Sequence, residues 1–395
     1  MTTQVQALAS ASVSGLSRGM VIFFAFCCGA IVANIYYAQP IIELIASDIG
    51  MSSAVASLIV SLTQTGYALG LFFVVPLTDL VESRRLMMFT AIVSIGSLTA
   101  AATVHQVNVF LAVSLFIGFS SVSVQILIPL AAHLAPEATR GRTVGSIMGG
   151  LLLGILLSRP LSSLIADHFG WRAVFAMAAM VMTGMTLLFW MIIPTRQPDH
   201  KATYAGLLRS LLTLFNTMPV LRQRALYQAG MFASFSLFWT SVPLELARHY
   251  HYSQTQIALF ALVGAIGAVA APISGRLADA GHTRIASFFA MSFATLSFFP
   301  NLVHQPIGVP GLVATGIFLD FCVQMNMVLG QREIYALDVA SRGRLNAIYM
   351  TSIFVGGAIG SSIAGLVYAN GGWPWIAVAG GAFPLLALVC FVCKK

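Results

Sequence analysis

Two ionisable side chains fall inside otherwise apolar stretches long enough to be membrane helices: Arg159 in GILLSRPLSSLIADHFGWR (154–172) and Asp320 in GIFLDFCVQMNMVLG (316–330). A charge at bilayer depth costs at least about 2.5–3.5 kcal/mol, so its default reading is functional. A carboxylate there can take up and release a proton, and a guanidinium can attract an anion. Three uses are open. Asp320 is a protonation site whose charge Arg159 modulates; or the two contact a ligand, Arg159 an anionic group and Asp320 a cationic one; or they are structural, as an ion pair or with Arg159 snorkelling to the outer interface. Asp320 lies midway along its segment, with Gln324 one turn later on the same face, and Arg159 lies nearer the outer end of its own. That offset, about five residues at about 1.5 Å rise, puts them ~8 Å apart in depth, so a direct pair requires a tilted or kinked helix.

The elements that must position them are membrane helices. Of 395 residues, 58% are hydrophobic and 8% charged, and the mean hydropathy is +0.90, outside the range of soluble domains. Apolar runs of about 20 residues, enough to cross about 30 Å of hydrocarbon, recur along the chain. Twelve spans are predicted, at 20–42, 53–76, 86–104, 108–133, 144–166, 173–194, 225–246, 254–275, 285–303, 308–331, 345–368 and 374–392. No strand alternation suggests a barrel, so the class is all-α membrane protein.

Orientation follows from Lys and Arg. With a cytoplasmic N-terminus, the inner side receives seventeen of the twenty, at 18, 84, 85, 140, 142, 196, 201, 209, 222, 224, 276, 284, 332, 342, 344, 394 and 395. The outer side receives only Arg172 and Arg248, which places both termini in the cytoplasm. The net charge of +8 then reflects topology and anionic lipid, and a nucleic-acid partner has no support. Cys27, Cys28, Cys322 and Cys390 lie at membrane depth and Cys393 just beyond it, so no extracellular disulfide is implied, and the lone CxxC at 390–393 lacks a second ligand pair for a metal.

The chain also repeats itself. LTDLVESRR from Leu77 returns as LADAGHTR from Leu277, RGR at 140–142 returns at 342–344, GW at 170–171 returns at 372–373, and PIIEL from Pro40 is echoed by PLEL from Pro243. Parallel duplication of six spans accounts for this. The resulting organisation is an N-terminal tail (1–19), a six-helix bundle (20–194), a linker (195–222) and a second bundle (223–395). In the linker, Leu207, Leu208, Leu211, Leu212 and Phe215 fall on one face of a short surface helix.

On these residues the chain resembles the major facilitator superfamily, and within it the bacterial twelve-helix drug:proton antiporter branch. The loop signature G-x-L-a-D-r-x-G-r-[RK] returns as GRLADAGHTR at 275–284 and, without its glycines, as VPLTDLVESRR at 75–85. The resemblance implies that Asp79, partnered by Arg84 and Arg85, helps close the inner gate near the eleventh helix, and by symmetry Asp279 with Arg284. The branch's fifth-helix motif, g-x8-G-x3-GP-x2-GG, is matched at Gly145 and Gly154; Ser158, Arg159, Ser162 and Ser163 replace its later positions, and Pro160 lies one place on. Small residues predict close helix contact, and Pro160 predicts a kink. Where the branch carries a buried arginine in helix four, this chain has Ser114 before Gly118, so Arg159 is expected to supply the cavity's positive charge by another route.

In this superfamily helices one, four, seven, ten and eleven border the central cavity. There the chain offers Asn34 and Tyr37; Ser121 and Gln125; Gln228, Ser236, Trp239 and Thr240; Gln324; and Asn346, Tyr349 and Ser352. Singly, each reads as a bond between helices. Together, among abundant Phe and Met, they describe an apolar, aromatic cavity with scattered amides, suited to moderately hydrophobic small molecules. Seven histidines lie in loops and His133 at the inner end of helix four. With no GxxxxGK[ST] and no HExxH, neither ATP-driven transport nor metalloprotease chemistry is supported, and no cofactor is expected. The resemblance thus implies no enzyme but a monomeric carrier of the bacterial inner membrane, exporting small organic molecules in exchange for protons by alternating access; a facilitator or symporter of a small metabolite, such as a sugar or amino-acid derivative, is the alternative.

Overall fold

The computed structural model describes residues 17–192, 203–302, 308–338 and 341–393; the expectations on most of the tail, on Arg196, His200, Lys201, His304, Lys394 and Lys395 lie outside them. Its helices trace twelve passes. The first is Arg18–Ala33, then a turn, then Ile42–Ile49. The second to sixth are Ser53–Asp79, Ser83–Thr103, Val107–Leu134, Arg140–Phe169 and Trp171–Ile192. The linker helix Tyr204–Thr217 precedes the seventh, Pro219–Arg248. The eighth is Gln254–Asp279, the ninth Thr283–Leu296 and the tenth Val309–Leu337. The eleventh and twelfth share Arg342–Cys393, divided where Gly372 takes φ 60°. That left-handed backbone favours glycine, which explains the GW repeat at this corner.

The first span departs from the expected single run over 20–42. Pro40 has no N–H and disfavours helix before it, so the chain tightens into a 3-10 turn at Gln39–Ile41. The tenth span runs past the expected 331, and the seventh begins before 225. Arg224, expected as a loop charge, is therefore buried; its Nε donates to Glu333 Oε2 at 2.6 Å and its Nη1 to Ser287 Oγ at 2.7 Å. Pro160 does not end its helix, which is continuous over Arg140–Phe169. In the linker, Leu207 and Leu211 are buried while Leu212 and Phe215 face outward, a narrower face than five residues.

Small residues let backbones touch. A Cβ on Gly118 would strike the carbonyl of Thr63, and one on Gly66 the carbonyl of Leu115, so spans two and four cross backbone to backbone. Gly154 and Gly150 meet Gly29 and Ala25 of span one, and Gly356 and Gly360 meet Ala229 and Ala233 of span seven. Among the described residues nothing lies within 4 Å of where a Cβ on Gly145 would be, so of the two motif glycines Gly154 makes the expected contact there. Large exposed apolar residues such as Ile22, Phe89, Met180 and Trp190 cover the outside of the bundle, a surface matched to hydrocarbon.

The two six-helix bundles close on each other at one end. Arg248 of span seven donates to both carboxylate oxygens of Glu43 from Nη2, at 2.6 and 2.9 Å. Thr255 donates to Asp167 at 2.5 Å, and Ser61 donates to the carbonyl of Ala358 at 2.8 Å. Ile42, Ala46, Ala56 and Val60 pack there with Leu244. At the other end, Arg332–Asp279, Arg224–Glu333 and Arg85–Glu82 each stay within one bundle. The repeated RGR acts alike in both: Arg140 Nε donates to the carbonyl of Ala132 at 2.9 Å and Arg342 Nε to that of Tyr335 at 3.0 Å. An exposed pair like Glu43–Arg248 contributes about 0.2–1 kcal/mol. Arg248→Met is therefore expected to raise the alkylation rate of a buried reporter at the closed end, Ala46→Cys, by about 1.4- to five-fold, measured with Cys390 and Cys393 replaced by serine.

Candidate functional site

Arg159 and Asp320 meet at Trp239. The indole Nε1 donates to Asp320 Oδ1 at 2.8 Å, and the Arg159 guanidinium carbon lies 4.5 Å from the indole centroid. Tyr36 and Phe235 flank the same guanidinium at 4.9 and 5.4 Å. Arg159 is 4% exposed and Asp320 6%. Among the described residues no Arg159 nitrogen lies within ion-pair distance of Asp320, and the two are linked through the aromatic ring that both contact. Cation–π contact of a desolvated guanidinium on Trp is worth about 2 kcal/mol, which offsets part of its burial.

Arg159 Nε donates to Gln39 Oε1 at 2.9 Å. This partner exists because the turn before Pro40 directs Gln39 inward, and Ser162 secures the turn by donating to the carbonyl of Tyr37 at 2.6 Å. Asp320 rests against span eight, where Gly264 and Gly267 carry no side chain to displace it. Pro40, Val242, Pro243 and Phe260 line a small pocket beside Arg159 and Trp239. Replacing Gln39 by leucine leaves the Arg159 Nε proton without an acceptor in a buried setting. Gln39→Leu is expected to destabilise by about 1–3 kcal/mol, seen as an earlier thermal transition of the purified protein.

The remaining expected cavity residues divide. Asn34 and Thr240 are buried, each with a polar atom that has no partner among the described residues. Tyr37 and Gln324 are half-buried, and Gln125 donates to Tyr67 at 3.2 Å. Ser236 joins the bundles by accepting from Gln64 at 2.8 Å. Others bond within their own bundle: Gln228 donates to the carbonyl of Val323 and accepts from Asn326, Ser121 donates to the carbonyl of Ile117, and Ser352 to that of Ile348. Tyr349 is fully buried and donates to the carbonyl of Met327, while Asn346 accepts from Tyr335. Ser158 is buried and donates to the carbonyl of Ile155 in its own helix.

The loop partners differ from expectation. Asp279 pairs with Arg332 of span ten at 2.6 Å and not with Arg284. Arg85 pairs with Glu82 at 3.1 Å, and Arg84 donates to the carbonyl of Trp190, so neither holds Asp79. The cause is span ten, which extends far enough to bring Arg332 to the loop, and the unexpected Glu82 one turn before Arg85. Sequence reading passed over Gln39, Gln64 and Tyr36; the two glutamines carry the same signal as Asp320, a polar group within an apolar span.

Twelve apolar passes in two repeated bundles, meeting around buried polar groups, define a polytopic membrane transporter. The chain matches the Major Facilitator Superfamily model over residues 21–334 and again over 224–394, and belongs to that family. It is 38% identical to the putative uncharacterized transporter YgaY of Escherichia coli K12, over 95% of each chain. It is 28% identical to a probable sugar efflux transporter of Helicobacter pylori 26695, over 92% of this chain and 93% of the other. The crystal structure of a D-xylose–proton symporter superposes with a TM-score of 0.73 at 16% identity, covering 95% of this chain and 97% of that one, a likeness of fold.

Proposed function

We propose that this transporter exports small, moderately hydrophobic organic molecules across the bacterial inner membrane in exchange for protons, with both termini in the cytoplasm and the monomer as the working unit. The observation that carries the reading is the chain of contact Asp320–Trp239–Arg159. A buried carboxylate of the second bundle is tied through one indole to a buried guanidinium of the first. Protonation removes the charge from Asp320 and weakens its hold on the indole proton, since hydrogen bonds to charged groups are about twice as strong as neutral ones. Trp239 is then freer to shift against Arg159, so the proton acts on the contact between bundles. Residues 20–194 and 223–395 are the two bodies that rock, and the closed end at Glu43–Arg248 marks a state open toward the cytoplasm. Asp79 and Asp279 are reserved for closing that side.

A sugar reading draws on the name of the H. pylori relative, and Trp239 with Gln39 and Asn34 offers a stacking ring and amides for it. The two readings part in one experiment. Wild-type protein in liposomes acid inside by about two pH units is offered ethidium, L-phenylalanine and D-xylose. Uptake of ethidium or L-phenylalanine only with the gradient is the expected result. Equal uptake with and without it contradicts exchange, and uptake of D-xylose alone favours the sugar reading.

A further inference from the structure

Arg159 and Gln39 hold two buried hydrogen-bond donors with no acceptor among the described residues. These are Arg159 Nη2 and Gln39 Nε2, although Arg159 is 4% exposed and Gln39 0%. The Gln39 carbonyl oxygen is already taken by Arg159 Nε at 2.9 Å. A guanidinium is a rigid planar fork matched to two oxygens, and an amide NH2 beside it adds a donor to the same contact. This arrangement lacks an acceptor, and a carboxylate supplies it.

The anion has a counterpart. Asp320 spends Oδ1 on Trp239 Nε1, and Oδ2 accepts nothing among the described residues. A Cβ on Gly264 would lie 2.8 Å from Oδ2, so the glycine keeps that oxygen uncovered. Trp239 touches both, its ring face under the Arg159 guanidinium and its N–H on Asp320, while the two charges are not within ion-pair distance of each other. Tyr36 and Phe235 complete an apolar wall around the guanidinium. Two opposite charges that converge on one indole without pairing, each with unused hydrogen-bonding capacity, are complementary to a molecule carrying both signs.

We infer that the substrate is a small zwitterion, an α-amino acid or close derivative with an apolar side chain, its carboxylate on Arg159 and Gln39 and its ammonium on Asp320. The inference rests on the exchange reading of Asp320 and deepens it. An ammonium group needs the ionised carboxylate, so substrate and proton exclude each other there, and exchange follows from competition for one site.

The test is binding to the purified full-length protein in lipid nanodiscs, read as thermal protection, without any gradient. The probes are L-phenylalanine, 2-phenylethylamine, which lacks the carboxylate, 3-phenylpropionate, which lacks the ammonium, and D-xylose. L-Phenylalanine is expected to bind at least about ten-fold more tightly than either one-ended analogue, as expected for loss of a charge-assisted contact. Arg159→Gln is expected to erase the preference over 2-phenylethylamine, and Asp320→Asn the preference over 3-phenylpropionate. Wild-type measurements alone decide if a variant fails to fold. Equal binding of the three aromatic probes, protection by D-xylose alone, or protection by none overturns the inference. Gradient-driven uptake of ethidium surviving such a failure leaves proton exchange standing; zwitterion binding with uptake indifferent to the gradient removes exchange and keeps the site.

Discussion

Asp320→Asn is expected to abolish gradient-driven accumulation while leaving the protein folded. One-for-one exchange against about two pH units stores about 2.7 kcal/mol, enough for about 100-fold accumulation of the exported molecule. The variant is expected to equilibrate its substrate to about the same concentration on both sides, a loss of about two orders of magnitude. Asparagine is nearly isosteric and keeps an acceptor oxygen for the Trp239 indole proton, so the packing of spans seven, eight and ten is retained. What it removes is the ability to alternate between charged and neutral forms. Accumulation in reconstituted liposomes measures this directly, with size-exclusion behaviour as the control for folding. A variant that accumulates like wild type shows that Asp320 is a structural group.

Gly118→Leu is expected to prevent folding of the first bundle. Spans two and four approach so closely that a single Cβ on Gly118 meets the Thr63 backbone carbonyl, with the Tyr67 nitrogen 3.0 Å away. Backbone cannot step aside as a flexible side chain can, and the reciprocal contact of Gly66 with Leu115 lies on the same crossing. Overpacking of a tight core commonly costs about 1–3 kcal/mol, and here four heavy atoms enter a contact with no room for one, so a cost above about 3 kcal/mol is expected. The readout is loss of a monodisperse, thermally cooperative species after extraction. Gly96→Leu, at a glycine of span three with open space beside it, is the matched control and is expected to fold.

These contacts separate what a sequence states from what it leaves open. Length and hydropathy fix twelve passes, and the return of LADAGHTR and RGR fixes their parallel duplication, because both are local patterns. Gly154 is legible as a contact because small residues recur on its helix face; Gly145 belongs to the same pattern and meets no neighbour among the described residues, since a motif carries no information on where a neighbouring helix ends. Helix ends are the weak point in general. Arg224 reads as a loop charge and is buried, and Asp279 takes Arg332 in place of Arg284, because spans seven and ten each extend beyond their most apolar windows. That Arg159 and Asp320 lie at bilayer depth is legible from the apolar spans around them, whereas their meeting at one indole depends on the rotation and approach of helices from different bundles. Of the twelve passes, the first, seventh and ninth are the least apolar or shortest as helices. Span one breaks at Pro40, and that break is what places Gln39 on Arg159.

The central claim is that the charge on Asp320 sets which end of the molecule is closed. Distances between spin labels across each end test it most directly: Ser47 with His249 at the closed end and Arg142 with Arg342 at the other, all four exposed. The account predicts that acidification, by adding a proton to this carboxylate, shifts the two distance distributions in opposite directions. In Asp320→Asn both distributions are expected to be independent of pH. Distances that ignore pH in the wild type, or that follow it equally in the variant, would contradict the account.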